Sequence, residues 1–430
     1  MFEMRSNISL TAGDVAVADF FGMRPTASGQ NVTPDTAMRT SAVYACVTIL
    51  AQTLAMLPKH IKAIRPDGGK DILSDHRLYK QIHNRPNRWQ SSFEFFEMME
   101  GHRLLRGNAY AKNVFYPGRQ KNELVPMHPD HVFPFIITPD GITYYVSDNS
   151  ACPPAGSTLW FQHFPQNGPT EILSAADVLH VRGYSVNGIV GMGVIKRAMR
   201  EAIGLSMAAE EHGAKMFSNG AQIPLVLSHP QTLKDDAFKR LKEQERAGGE
   251  YAGSGNAGKT MILEGGMTVE KIGMTADESQ FLETRKFQVE DIARFFNMPL
   301  VLIGHGDKAP TYASAEQFFM SFKVHTMSPI VSRWEGASER SLLFPGEVGN
   351  TIVDFDMDSM MRGDATARAA YLLARFGMAS ITPDGICLYE GENPTGTEEG
   401  KKLYLQSGMM PANMAGQKPL APQPAKEVKK

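Results

Sequence analysis

Apolar positions along this chain recur at helical spacing in some stretches and in alternation in others. The earliest sustained run, SAVYACVTILAQTLAMLP at 41–58, contains Thr48, Gln52 and Thr53 and stops at Pro58. That pattern predicts a buried helix over 41–57, not a membrane span. HIKAI then reads as a short strand, and RPDGGK has the residues of a hairpin connection. A second helix is expected after NRPNRWQSS. Ser91 and Ser92 offer an N-cap, Glu94 lies in the first turn, and Phe95, Met98 and Met99 supply apolar contacts. Between 107 and 163 the segments GNAYAKNVFY, HVFPFII, GITYYVS and STLWFQHF are aromatic or β-branched and read as strands. RGNAY at 106–110 marks the turn from helix to strand. Gly107 permits a tight backbone there, Asn108 satisfies local backbone groups and Tyr110 packs at the strand start.

Near residue 192 the period changes to that of a helix. VIKRAMREAIGLSMAAEEHGAKMFSNG predicts one long helix within 192–219, packed through Val194, Ala198, Leu205, Ala209 and Met216 and weakened by Gly204 and Gly213. Residues 221–272 then read as a small α/β insertion: the strand IPLVLS, the charged helix TLKDDAFKRLKEQERA, a Gly-rich turn, and MILEGGMTVEKI. A further helix is expected over 278–296. The loop after it holds Gly304 and Gly306, which allow redirection, and Pro310, which restricts the return. Helical spacing resumes over 314–342 with Phe318, Phe322, Met327, Val331 and Trp334, and Pro329 should bend or divide that segment. TIVDFDM reads as a returning strand and MRGDATARAAYLLARFG as a helix. The first residues and those after 391 lack periodicity and are expected to be a flexible arm and tail. The fold class is α+β.

Composition narrows the functions available. With 430 residues the chain can form two or three units with sizeable cores. Its 44 basic and 46 acidic side chains leave a formal charge of -2, which excludes a surface that wraps nucleic acid throughout. A local or assembled channel stays open. Cys46, Cys152 and Cys387 are too scattered for a disulfide framework or a zinc site, so reduced cysteines are expected. The N-terminal residues lack the order of a secretory signal.

Several motifs carry apparent chemistry. GSGNAGKT at 253–260 fits the phosphate-loop pattern, with Gly253, Gly258, Lys259 and Thr260 in order. A phosphate loop requires a strand before it and a helix after it; here a helix precedes and a strand follows, so a turn is expected. Asp354, Asp356 and Asp358 would share one strand face and either hold a cation or form an exposed, salt-bridged edge. In HPDH, Pro129 opposes a helical pairing of His128 with His131. Ser185 lies in GYSVNG, not in a nucleophile elbow, and His163, Asp177 and His180 complete no triad. No catalytic, cofactor-binding or metal-ligating residue is assigned.

HNRPN at 83–87, RGNAY at 106–110, ADVLHVRGYSVNGIVGMGVI at 176–195 and EDIARFFNMPLVLIG at 290–304 together resemble the portal proteins of tailed bacteriophages, in their compact long-tailed-phage branch. GMGVI departs from the Ser-Pro helix start frequent in that family. The resemblance implies a portal fold with a mixed α/β wing, a helical stem, a small α/β clip and a short helical crown. Its parts would be an arm at 1–34, wing at 35–191, first stem segment at 192–220, clip at 221–272 and second stem segment at 273–298. A tunnel loop at 299–313, a kinked helix at 314–342, a returning wing segment at 343–365, a crown at 366–390 and a tail at 391–430 would follow.

Function is implied in the same way. Such proteins form a dodecameric ring at a unique capsid vertex of the virion, assembled in the bacterial host cytoplasm, with no membrane partner. The ring is the DNA channel, docks the packaging terminase, contacts major capsid and scaffold proteins, and later holds the head-tail adaptor. Carried onto this chain, His305 and Lys308 could meet duplex DNA through its phosphates, without sequence specificity; Lys308 could equally pair with Asp307. Lys239, Arg240, Lys242, Glu243, Glu245 and Arg246 have the mixed signs of a subunit or motor contact, or of a solvated helix face. Two alternatives stand beside this reading: a head-completion adaptor ring, and a phosphate-loop DNA-packaging ATPase.

Overall fold

The computed structural model describes residues 25–116, 121–218, 225–228, 268–271, 278–305, 312–363 and 365–404. The insertion helix, the 253–260 turn, Gly306, Lys308 and Pro310 lie outside the described residues. Residues 1–356 form one unit and 357–430 a second.

Helix α1 (Ser41–Met56) buries Val43, Cys46, Val47, Leu50 and Leu54 and packs against α2 (Ser92–Arg106). The start of α2 is set by a capping box: Ser91 accepts from the Glu94 N–H, and the Glu94 carboxylate accepts from the Ser91 N–H (2.7 Å). Strands β1 (Lys59–Ile64) and β2 (Lys70–Ile72) form the expected hairpin. The next seven are β3 (Asn108–Tyr116), β4 (Lys121–Met127), β5 (Val132–Ile137), β6 (Thr143–Tyr145), β7 (Thr158–His163), β8 (Glu171–Ser174) and β9 (Val178–Arg182). They make two antiparallel sheets in the orders β4-β3-β9 and β6-β5-β7-β8. In the insertion, β10 (Leu225–Ser228) pairs antiparallel with β11 (Thr268–Lys271). Strand β12 (Thr351–Phe355) returns to pair with β1, Ile61 opposite Val353, completing the sheet β12-β1-β2.

The later helices are α3 (Arg200–Ser218), α4 (Glu278–Phe295), α5 (Tyr312–Ser321) and α6 (Ser328–Leu342). Helix α6 serves the free edges of two sheets. Its Arg340 and Arg333 donate to the carbonyls of His180 (3.0 Å) and Gly183 (2.8 Å), at and just beyond edge strand β9. Its Glu339 and Glu335 accept the outward N–H groups of Val353 (3.2 Å) and Phe355 (3.0 Å) on edge strand β12. Between these polar rows Trp334 is fully buried against Phe96 and Phe355. The Trp334 indole N–H donates to the Glu100 carboxylate (2.8 Å), which is itself fully buried and held by Arg103 through two guanidinium nitrogens. Neighbouring Lys59 is only 3% exposed. Its Nζ donates to the Ala55 carbonyl and lies 4.6 Å from the Phe96 ring centroid. Burial pulls its pKa down to about 7.

Four expectations change. The helix expected within 192–219 is interrupted: after a turn at Val194–Arg197, Met199 N reaches back five residues to Val194 O (3.0 Å), and regular helix restarts at Arg200. Gly193, at the N-cap, has no side chain to set that first turn. Residues 25–34 of the expected flexible arm pack instead on α3. Ala27 N donates to Glu201 (3.0 Å), and Thr26 sits so close to Gly204 that a Cβ there would meet it at 2.6 Å. The aspartate alternation fails because β12 ends at Phe355; Asp354 remains on the strand, paired with Lys62 (2.6 Å). The tail from 391 does not all run free either.

In the second unit, α7 (Ala365–Gly377) and α8 (Pro383–Glu390) line a shallow groove with Leu372, Leu373, Phe376, Pro383 and Ile386. Residues 391–404 return to α8, where buried Asp384 accepts from the Thr395 N–H (2.8 Å) and donates its own N–H to Gly400 O (2.9 Å). Among the described residues no helix is long and apolar enough to cross a membrane.

Two stability changes follow from the α2–α6 core. Glu100→Ala leaves a buried guanidinium and an indole N–H unpartnered and should cost ~3–5 kcal/mol in urea unfolding. Glu100→Gln, which keeps an acceptor for Trp334, should cost less. For Lys59 the folded pKa of about 7 lies below the ordinary 10.5. Between these values the unfolded chain binds the extra proton, so stability rises with pH across that window, at up to ~1.4 kcal/mol per unit. Lys59→Met should be more stable than the parent at pH 7 and should lose this rise, measured by denaturant titrations from pH 7 to 10.

Candidate functional site

Long helices α3 and α4 pack side by side, and the chain leaves α4 toward a loop whose base is braced by α1. The exit is built by Asn297. The Asn297 N–H bonds to Arg294 O (3.1 Å) and the Met298 N–H to Ala293 O (2.9 Å), a helix-ending pair that places Asn297 in the left-handed region, φ +52°. Glycine would meet that backbone demand more cheaply. The asparagine side chain also ties the exit to a later segment. Its Nδ2 donates to His325 O (3.0 Å), while Thr326 Oγ1 donates back to Asn297 O (2.6 Å).

Beyond Pro299 a 3-10 turn, Leu300–Ile303, ends at Gly304 with φ +71°. His305 follows, with Nε2 3.8 Å from Glu290 on α4. The structure therefore puts His305 beside α4. Gly306, Lys308 and Pro310, and the insertion residues Lys239, Arg240, Lys242, Glu243, Glu245 and Arg246, lie outside the described residues. Past the loop, α5 leads into a π-helical stretch, Phe322–Met327, and then into α6. The interruption precedes Pro329 and is not centred on it. Pro329 occupies the first turn of α6, where a missing N–H breaks no bond within that helix. Phe322, Thr326 and Met327 are buried, while Phe318, Phe319, Met320 and Val324 are exposed.

RGNAY forms a second convergence of backbone. Gly107, φ +80°, ends α2, and a Cβ there would lie 2.4 Å from Met192 O. A Cβ on Gly191 would lie 2.0 Å from Gly107 O, and Gly183 N donates to that same oxygen (2.7 Å). Asn108 clamps the crossing. Its Nδ2 donates to Gly191 O (2.8 Å), and its Oδ1 accepts from Gly191 N (2.8 Å) and from His180 Nε2 (2.9 Å). His180 therefore carries its proton on Nε2 and stays neutral, stacked 4.4 Å from Tyr110; burial holds its pKa well below the usual histidine range.

The other motifs among the described residues are engaged in local contacts. Ser185 Oγ donates to Val190 O (2.6 Å), and His163 lies 3.5 Å from Glu171, which is paired with Lys112. The rings of His102, His128 and His131 neighbour one another, and Asp130 beside them is taken by Arg106 (2.8 Å). Burial pulls the His102 pKa down to about 4. Among the described residues no group of three histidine, cysteine or carboxylate side chains could hold a metal ion. The sequence reading missed Asn297 and Thr326. The signal for Asn297 was Asn-Met-Pro after a helix, a polar left-handed cap two residues before a proline.

Comparison with known proteins agrees with this architecture. Two solved structures share the fold over most of the chain. The neck of an empty gene transfer agent particle aligns with TM-score 0.55 and 21% identity, covering 88% of this chain and 100% of that one. An HK97-family portal protein from Corynebacterium diphtheriae aligns with TM-score 0.51 and 17% identity, covering 77% and 98%. In sequence, the portal protein of Enterobacteria phage HK97 is 27% identical over 339 residues, 78% of this chain and 75% of its own. The probable portal protein of Streptomyces phage phiC31 is 31% identical over 340 residues, 78% of this chain and 71% of its own. The phage portal protein family matches residues 41–386, from the start of α1 into α8, and the chain belongs to that family.

Proposed function

We propose that copies of this chain close into a ring of twelve around an axial channel at one capsid vertex of a virion, and that the ring passes duplex DNA. The observation that carries the reading is the match over residues 41–386, which spans the paired helices, the loop and the interrupted helix together. A similar chain in the neck of a native gene transfer agent particle, solved with C12 symmetry, supports the ring number. In this reading α3 and α4 form the stem and set the channel radius. The loop at 299–313 projects inward, and His305 and Lys308 face phosphate oxygens, whose contacts carry no base identity. Twelve copies of one lysine supply a positive collar that the monomer's net charge of -2 conceals.

The insertion, with Lys239, Arg240, Lys242, Glu243, Glu245 and Arg246, is the surface proposed for the packaging terminase. Capsid and scaffold proteins and the head-tail adaptor meet other faces. The part played is mechanical and architectural. ATP chemistry belongs to the docked motor, because the sequence around Lys259 reads as a turn between a helix and a strand, the reverse of a phosphate loop.

Native mass spectrometry and particle imaging of the purified protein should give a closed ring with an axial opening; monomers alone under several assembly conditions would overturn the proposal. Lys308→Glu should leave ring abundance unchanged and shorten or destabilise the packaged genome in complemented phage. Full-length, retained DNA with the variant incorporated would remove Lys308 from the contact.

A further inference from the structure

The stretch Phe322–Met327 is wound one residue wider than an α-helix, and Ser328 N bonds five residues back to Lys323 O. Such a turn is costly without compensation, because its carbonyls and amides fall out of step with the helices on either side. Two features of this chain supply that compensation. Pro329 has no N–H, so the carbonyl four residues before it, that of His325, lacks its ordinary helical donor. Asn297 Nδ2 makes a bond to that oxygen at 3.0 Å. The return bond from Thr326 Oγ1 to Asn297 O, 2.6 Å, ties the adjacent residue of the π-helical stretch to the same backbone position.

The anchors on both sides are firm. Phe296 and Met298 flank Asn297 and are buried, as are Phe322, Thr326 and Met327. Asn297 and His325 themselves lie at the surface, so water can replace their bond at modest cost.

From this geometry we infer that Asn297 is a latch: it stands in for the amide that Pro329 lacks and holds the Phe322–Met327 stretch in its π-helical register. Opening it removes the partner that favours that register. Loss of the extra residue turns α5 about its axis by one residue's rotation relative to α6, ~100° at 3.6 residues per turn, with ~1.5 Å of rise. The latch thus sets which way α5 faces. That the 299–313 loop lines a DNA channel rests on the function proposed above; the latch does not.

The test uses the purified full-length protein in whatever assembly it forms. Asn297→Gly keeps the left-handed backbone and deletes only the side chain. Amide exchange of peptides covering 320–332 should quicken at least tenfold, with peptides from α2 unchanged. Pro329→Ala supplies an amide that can reach His325 O, four residues back, in α-helical register. In that background the same Asn297→Gly change should alter exchange less than twofold, since the carbonyl now has a helical donor. Thr326→Val should quicken exchange in the single-variant background as a second, independent break of the clasp. An Asn297→Gly effect of equal size with and without Pro329, or no effect in either, would overturn the latch. Failure to form rings would count against the proposed function and leave this coupling measurable.

Discussion

A strand at the edge of a sheet leaves every second backbone amide and carbonyl without a partner, and this fold must cover two such edges in its interior. Helix α6 does so with side chains of opposite sign. Arginines reach the carbonyls along and just past β9, and glutamates receive the amides of β12. The two rows are not interchangeable, because a guanidinium can only donate and a carboxylate only accept. That matching orients α6 about its axis, and the orientation aims Trp334 at Glu100. The buried Glu100–Arg103 pair, and Lys59 over Phe96, are tolerated because every charge there has a fixed partner or an aromatic face.

Polar groups that resemble catalytic parts are engaged in contacts that hold the fold together. His180 donates to Asn108, Ser185 to Val190 O, and Asp130 is held by Arg106. Their chemistry serves to join segments distant in sequence, as with Asn108 and Gly191. This chain needs such joints because one sheet is drawn from both ends of the matched region: β1 lies near its start and β12 near its end.

Much of this was legible in the sequence. Local rules located α1 with its end at Pro58, the N-cap at Ser91 or Ser92, the hairpin at Asp67–Gly69 and the turn at Gly107, since each depends on residues a few positions apart. The joint motifs carried the family. The edge-covering glutamates were not legible: Glu335 and Glu339 look like an ordinary solvated helix face until β12 is beside them. The π-helical stretch was hidden for a similar reason. Proline marks a helix boundary, but the carbonyl it orphans is served by Asn297, a residue that helical periodicity does not connect with it. Nor could a pattern of small residues reveal that Gly204 is small because Thr26 lies on it.

The crossing of Gly107, Gly183 and Gly191 brings three stretches of main chain into direct contact, with the Asn108 amide clamped across them. Contacts made by side chains have slack, since rotamers hop and methylenes rearrange. Contacts made by peptide planes have little, because bond lengths and planarity are the same in every molecule. The direction in which the chain leaves the β4-β3-β9 sheet for α3 is therefore reproduced from copy to copy with small scatter. In any closed assembly the angular error of one protomer is multiplied by the number of protomers before the last meets the first. A joint made of bare backbone keeps that accumulated misfit small.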